Sequence, residues 1–571
     1  VTLRFPRIRS NWPCSNRGFH HHIDSGPLGR GFHQQCFAAL VDGITESIVS
    51  AEADLKEGKT FLAQGEVEGA GVNRSRVAYM NNPAEERAKY KSDVDTTMTL
   101  LKFVRADGAI GMLNWFAVHG TSMNFNNKLI SGDNKGYAAY AVEQAHGTRY
   151  QPKSEFVAAF AQSNAGDVTP NLNLNNTGPG KNDVESTQII GRRQARAAEK
   201  LFERANVPLS GPVDCRLAFV DFSKLEISGE FSGAGPQRTC PSALGYAFAA
   251  GSTEDGGGNP LFHEGMKETS PLIESMVRAQ FPTLIPTEEL RRCHKPKAIL
   301  LATGVPRPPA QEQILPIGLV RIGQLVLAVG PAEFTTMAGR RIRAALGKEL
   351  GIDPHLVVIA GYANDYGNYV TTRAEYDAQQ YEGGSTIFGP WTEAGYRQEF
   401  VRLAHAMKTG QPVTPTLLPA DMRSRVKTNV SLEGPDELLP ENAKPGDLVL
   451  PAKEKYRISE IVELSFWSGS PVNDYKRTDR FLAIERRVAS TGAWKVVRED
   501  FDWDTTIRWK QLHQAAGARL KSPEPYLATV RWQTDSETEP GTYRIRYFGK
   551  FKRNGKVDRF TATSKEFEIR P

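Results

Sequence analysis

The chain has 571 residues, more than one compact core usually serves, and at about 150 residues per domain it should form roughly two to four units. Hydrophobic residues make up 40% and charged residues 24%, a globular balance that argues against long disordered or fibrous tracts. A net charge of +6, from 71 Lys and Arg against 65 Asp and Glu with no block of like sign, gives no reason to expect nucleic acid as a partner.

Residues 1–13 carry basic side chains but no continuous apolar run, so no signal peptide is read there. No stretch reaches the roughly 18 consecutive apolar residues of a bilayer-spanning helix, and no transmembrane segment is expected. A helix is expected over 34–51, strands over 109–118 and 156–160, an amphipathic helix over 186–206, and further apolar strand runs at 325–329 and 356–360. Short buried strands alternating with helices predict a mixed α/β domain. The Pro-, Glu- and Gly-rich segment 432–446 marks a change of periodicity, which divides the chain into 1–435 and 436–571. Beyond it, alternating runs at 495–498, 529–532, 543–547 and 567–569, the third preceded by Pro540-Gly541, predict an immunoglobulin-like β-sandwich. No internal repeat is detectable. The five cysteines (Cys14, Cys36, Cys215, Cys240, Cys293) form no CxxC pair, so a cysteine-based metal site is not expected, and their odd number leaves at least one thiol free.

Polar chemistry collects where the apolar runs of the first domain end, which is where α/β sheets assemble their sites. The run 110–118 delivers His119, and 156–160 leads through Ser163 and Asn164 into GDVTPN at 166–171. The run 325–329 leads to Glu333 at the head of an expected helix, and 356–360 leads to Asn364, Asp365, Tyr366 and Tyr369. Taken singly, each has an ordinary alternative: Glu333 in a first helical turn would answer the helix dipole, and Thr169 before Pro170 would be an extended turn residue.

Taken together they are more specific. NWFAVHGTSMN at 114–124, LISGDNKGY at 129–137, GDVTPN at 166–171, EFTTMAGRR at 333–341, YVTT at 369–372 and YEGGST at 381–386 resemble the neutral ceramidase family in order and spacing. NRS at 73–75, CPSALGYAFAA at 240–250 and CHKP at 293–296 extend the resemblance, which runs from about Ser25 to the C-terminus. It implies an α/β zinc amidase that hydrolyses the N-acyl bond of ceramide, a lipid met at or extracted from a membrane surface. The family's zinc ligands, two His, one Glu and one Tyr, fall on His22, His119, Glu333 and Tyr369. Imidazole and oxygen donors of this kind suit a catalytic zinc that lowers the pKa of water and polarises the amide carbonyl.

The family's catalytic serine, nucleophile or partner of the zinc-bound water, is Thr169 here, which keeps the hydroxyl and adds a methyl. Arg74 and Tyr381 match residues that line the site, where they would bind the carbonyl oxygen and the sphingoid hydroxyls. The resemblance thins at the N-terminus. Before Ser25 the family's leading strands have no counterpart, and in HIDSGP at 22–27 Asp24 stands where the family has a second histidine for acid–base or substrate contact. His20 and His21 are alternatives to His22 as ligand. The resemblance also implies a Cys240–Cys293 disulfide and hence a secreted or periplasmic protein. Two other functions remain open: a catalytically impaired ceramide-binding or adhesion relative, and an amidase of another N-acyl lipid. Oligomeric state is not legible.

Overall fold

The computed structural model describes residues 34–148, 156–420, 434, 436–476, 479–512 and 525–571. The chain divides into two compact units, Val1–Asn429 and Val430–Pro571.

In the first unit, helix α1 (Gln34–Ala53) precedes a sheet of β1 (Gly58–Glu66), β2 (Thr97–Arg105), β3 (Gly108–Phe116), β4 (Val157–Gln162) and β5 (Val207–Pro208), in the order β4-β3-β2-β1-β5. Its helices are α2 (Asp133–Ala145) and α3 (Asp183–Arg204), which pack on one another. The second sheet contains β6 (Val213–Asp221), β7 (Ile314–Ile322), β8 (Leu325–Val329) and β9 (Val357–Ala360), in the order β9-β8-β7-β6, and is accompanied by α4 (Thr336–Leu350) and α5 (Thr392–Lys408). The helix expected over 186–206 starts three residues earlier, where the Asn182 side chain accepts from Glu185 N as its N-cap.

Side-chain alternation along the strands stacks these elements into four layers. Leu100, Met112, Phe116 and Ala158 face α2 and α3 in one core, whereas Leu62, Leu101 and Trp115, on the opposite face of the same sheet, meet Leu325 and Val358. The other face of the second sheet, with Leu315, Ile317, Val326, Ala328 and Ile359, packs beneath Ile342 and Leu346 of α4 and Phe400 and Leu403 of α5. The layers are therefore helix, sheet, sheet, helix.

The same order of elements occurs twice. Three antiparallel strands (β1-β2-β3, then β6-β7-β8) are followed by a helix (α2, then α4), a strand parallel to the third (β4 on β3, β9 on β8) and a second helix (α3, then α5). No repeat is visible in the sequence. The duplication lies in topology, and the loops joining equivalent elements differ in length, so no fixed period survives.

The second unit is β-rich. One sheet pairs Leu448–Leu450, Ile461–Ser468, Tyr526–Gln533 and Thr505–Gln511; the other pairs Lys455–Arg457, Phe567–Arg570, Gly541–Arg553, Leu482–Arg487 and Trp494–Glu499, with Lys556–Thr563 also on Gly541–Arg553. Phe466, Val530 and Trp532 of the first share one core with Ile484, Ile545, Tyr547 and Phe567 of the second.

Candidate active site

Four strand ends, two from each sheet, supply the site. His119 follows β3, the Gly166–Asn171 turn follows β4, Glu333 follows β8, and Tyr362, Tyr366 and Tyr369 follow β9. Two short pairings lock these segments together: Glu333–Phe334 runs parallel to Tyr369–Val370, and Val72–Asn73 pairs antiparallel with Val168–Thr169. Gly166 is required where the two halves meet, because a Cβ there would lie 2.9 Å from the backbone of Glu333, Phe334 and Thr335. The Glu333 dipole alternative does not hold. Glu333 lies in a strand, and α4 begins behind Thr335, whose side chain accepts from Ala338 N as the N-cap.

His119 shows how the centre is wired. Its Nδ1 lies 2.9 Å from the Val168 carbonyl, which can only accept, so Nδ1 carries a proton. Its Nε2 lies 2.7 Å from Glu333 Oε2. That distance calls for a positive charge shared between the two atoms, either a ring proton or a metal cation. The phenol of Tyr369 stands 3.4 Å from the same Nε2, and Tyr362 donates to Glu333 Oε2 at 2.6 Å and Tyr366 to Oε1. Burial alone would raise the Glu333 carboxyl, but the His119 contact and the two phenol donors hold it below its usual range. Burial and the Glu333 charge push the Tyr362, Tyr366 and Tyr369 phenols well up.

A buried arginine joins this centre to the threonine. Arg74 donates through Nε to Glu382 at 2.7 Å, through Nη1 to Asp255 at 2.6 Å, and through Nη2 to Gly166 O at 3.0 Å and Tyr369 Oη at 3.2 Å. Four of its five N–H bonds are thus spent inside the protein. The Thr169 hydroxyl, fully buried, donates to Asp255 Oδ1 at 2.5 Å. The Tyr381 ring lies under the Arg74 guanidinium at 5.3 Å and edge-on to Tyr369 at 5.3 Å.

The structure thus brings together His119, Glu333, Tyr369, Arg74, Thr169 and Tyr381. His22 and Asp24, with His20 and His21, lie outside the described residues. Among the described residues no three His, Cys, Asp or Glu side chains converge as a metal group, so the donors here are one imidazole, one carboxylate and phenols. The chemistry of that donor set, imidazole nitrogen with carboxylate and phenol oxygens, is one that suits zinc. Sequence reasoning missed Asp255, Glu382 and Tyr362. Tyr362, Asn364 and Asn368 adopt left-handed φ of 58°, 69° and 60°, a conformation costly for tyrosine that turns the segment after β9 back on Glu333. The Tyr-Ala-Asn-Asp-Tyr-Gly-Asn run was the available signal, since asparagine favours such turns.

Glu264 ties the Asp255 turn to the Tyr381 helix. Its Oε1 accepts from Tyr381 N at 2.8 Å and its Oε2 from the Thr253 hydroxyl at 3.1 Å. Burial, with the charges of Glu382 and Glu254, raises its carboxyl to about 7 against the lowering effect of the Tyr381 and Thr253 donors. A carboxyl raised by folding holds its proton longer in the native chain, so stability declines as pH climbs from the ordinary glutamate value toward about 7. Glu264→Gln should remove that decline. In thermal melts the variant should gain on the parent between about pH 5 and about pH 8, and a difference independent of pH would refute the assignment.

Known proteins resemble this arrangement over nearly its whole length. The N-terminal model of the neutral/alkaline non-lysosomal ceramidases matches residues 15–398, and the C-terminal model matches 400–569. The neutral ceramidase of Pseudomonas aeruginosa is 39% identical over 97% of this chain and 80% of its own length. That of Oryza sativa subsp. japonica is 37% identical, over 95% and 81%. Among solved structures, a ceramidase complexed with C2 superposes with a TM-score of 0.85 at 38% identity, covering 97% of this chain and 84% of its own. A crystal structure of the Pseudomonas aeruginosa neutral ceramidase gives 0.82 at 36%, covering 98% and 84%.

Proposed function

The chain belongs to the neutral/alkaline non-lysosomal ceramidase family, hydrolases of the ceramide amide bond, and on that footing we propose that it cleaves ceramide to a sphingoid base and a fatty acid as a zinc amidase. The observation that supports the zinc reading is the convergence of His119 Nε2, the Glu333 carboxylate at 2.7 Å and the Tyr369 hydroxyl at 3.4 Å. His119, Glu333 and Tyr369 would hold the ion, joined by His22 or its neighbours His20 and His21. When bound, zinc supplies Lewis acidity toward the amide carbonyl and toward water.

The protein's own groups orient the reactants. The Val168 carbonyl fixes the His119 tautomer, and the Tyr362 and Tyr366 hydroxyls keep the Glu333 carboxylate ionised and aimed. Thr169 brings a hydroxyl oxygen to the reacting carbonyl, and the half-buried Tyr381 phenol is a donor for negative charge developing there. Among the described residues Arg74 retains a single N–H without a partner, so in this reading it acts on the carbonyl oxygen through at most one bond and otherwise steadies Tyr369 and Asp255. Water divides in the net reaction: its oxygen goes to the acyl carbon and a proton to the departing amine.

We also read the C-terminal unit as immunoglobulin-like. Lys455–Arg457 runs parallel to the final strand Phe567–Arg570, and the Tyr543 hydroxyl donates to the Glu539 carbonyl four residues upstream, as in a tyrosine corner. The Cys240–Cys293 bridge supports an oxidising, secreted or periplasmic setting. No helix of the described residues is long and apolar enough to cross a membrane.

Chelator-treated protein should lose hydrolysis of a fluorescent short-chain ceramide and regain it on adding zinc. Zinc-replete protein that cleaves an N-acyl amino acid but not ceramide would assign another substrate, and ceramide binding without turnover would mark an impaired relative.

A further inference from the structure

The Thr169 hydroxyl has one proton to donate and two lone pairs with which to accept. Its proton goes to Asp255 Oδ1 at 2.5 Å, and one lone pair takes the Asn171 N–H at 3.1 Å. Among the described residues nothing takes the other lone pair. We propose that Asp255 is the positioning residue of the reaction: it holds the Thr169 hydroxyl as an oxygen acceptor with its proton turned away from the substrate.

Asp255 is built for this task. It ends the helical turn Thr253–Asp255 and is followed by two glycines of positive φ, Gly256 at 106° and Gly257 at 66°, which turn the chain sharply beside Thr169. Its Oδ1 also accepts from Asn171 Nδ2 at 2.7 Å and from the Thr121 hydroxyl at 3.3 Å, so the atom that receives the Thr169 proton is held from three sides. Its Oδ2 is paired with Arg74 at 2.6 Å. Burial opposes its ionisation, but Arg74 and the Thr169 hydroxyl outweigh this and keep the carboxyl below its ordinary range. An anion so stabilised is a weak proton acceptor and a firm anchor, which favours orientation over general-base work. The same Arg74 reaches Tyr369 Oη, so the orientation of Thr169 is referred to the His119–Glu333 centre through one rigid guanidinium. The carboxylate also gives the methyl of threonine a defined place, since two of the oxygen's partners are fixed.

This rests on the ceramidase reading, and the experiment separates the two. In a cycle of Asp255→Asn, Thr169→Val and the double variant, Asp255→Asn should lower kcat for short-chain ceramide about 100-fold with KM little changed, the size expected for a misplaced reacting group. In the Thr169→Val background the same substitution should cost almost nothing further, because the two act as one unit. A second loss of similar size in the double variant, or an unchanged kcat in Asp255→Asn, would overturn the proposal and leave Asp255 as a structural partner of Arg74. A crystal structure of the parent protein reads the same point without turnover and without any variant having to fold. Thr169 Oγ1 within hydrogen-bond reach of Asp255 is expected, and a hydroxyl rotated toward the substrate cleft refutes the inference. Should the parent hydrolyse no ceramide at all, the proposed function fails, while that rotamer still decides the role of Asp255.

Discussion

On the proposed zinc reading, replacing His119 with alanine should lower ceramide hydrolysis by roughly a thousandfold or more and release zinc from the purified protein. Lewis-acid stabilisation of a polarised carbonyl is worth several kcal/mol, and each ~1.36 kcal/mol is a factor of ten in rate. His119 is the only imidazole among the described residues that meets Glu333, and its Nε2 is the atom Tyr369 and Tyr362 also approach, at 3.4 and 3.3 Å. Its loss removes the one nitrogen donor that meets the carboxylate among the described residues, which weakens zinc binding. Metal content by mass spectrometry and turnover should fall together. A variant retaining one zinc per chain and parental kcat would remove His119 from the ligand set.

Opening the Cys240–Cys293 bridge should destabilise the N-terminal unit by about 4 kcal/mol, the chain-entropy value for a loop of 53 residues. The bridge joins the segment before Leu244–Gly245 to the end of the Glu288–Cys293 helix, and Cys240 N donates to Phe388 O at 3.0 Å. It therefore underpins the stretch from Tyr381 to Phe388 on which one wall of the site stands. Denaturant unfolding of the Cys240→Ser/Cys293→Ser pair, compared with the parent with and without reductant, measures the effect. A midpoint insensitive to both treatments would show that packing alone holds this region. Cys215, exposed and free, should remain alkylatable throughout.

The strands were legible because apolar runs such as Leu-Val-Leu-Ala-Val at 325–329 end abruptly in polar residues, and Leu325–Val329 is the strand found. Their stacking was not. A run apolar at every position says that both faces are covered without saying by what, so neither the helix layer over Val326 and Ala328 nor the sheet against Leu325 was readable. His119, Glu333 and Tyr369, which the structure brings together, each lie in a long recognisable segment. Asp255, in a glycine-rich turn with no periodicity, meets Thr169 across 86 residues, and Glu382 meets Arg74 across 308. Such contacts are products of tertiary packing, and local pattern carries no trace of them. Arg74 was legible as a site residue, but only its geometry revealed that it serves mainly to hold other side chains.

The twice-repeated order of elements gives the His119–Glu333 contact another meaning. His119 lies three residues beyond β3 and Glu333 four beyond β8, so the two partners occupy corresponding places in the two halves. A pair of identical halves would bring like to like at that seam: two carboxylates that repel, or two imidazoles with no anion to balance a doubly charged ion. The unlike residues at this seam make a mixed nitrogen–oxygen pair. The repeated order of elements thus supplies the frame, and the difference between its two halves at the centre supplies the chemistry.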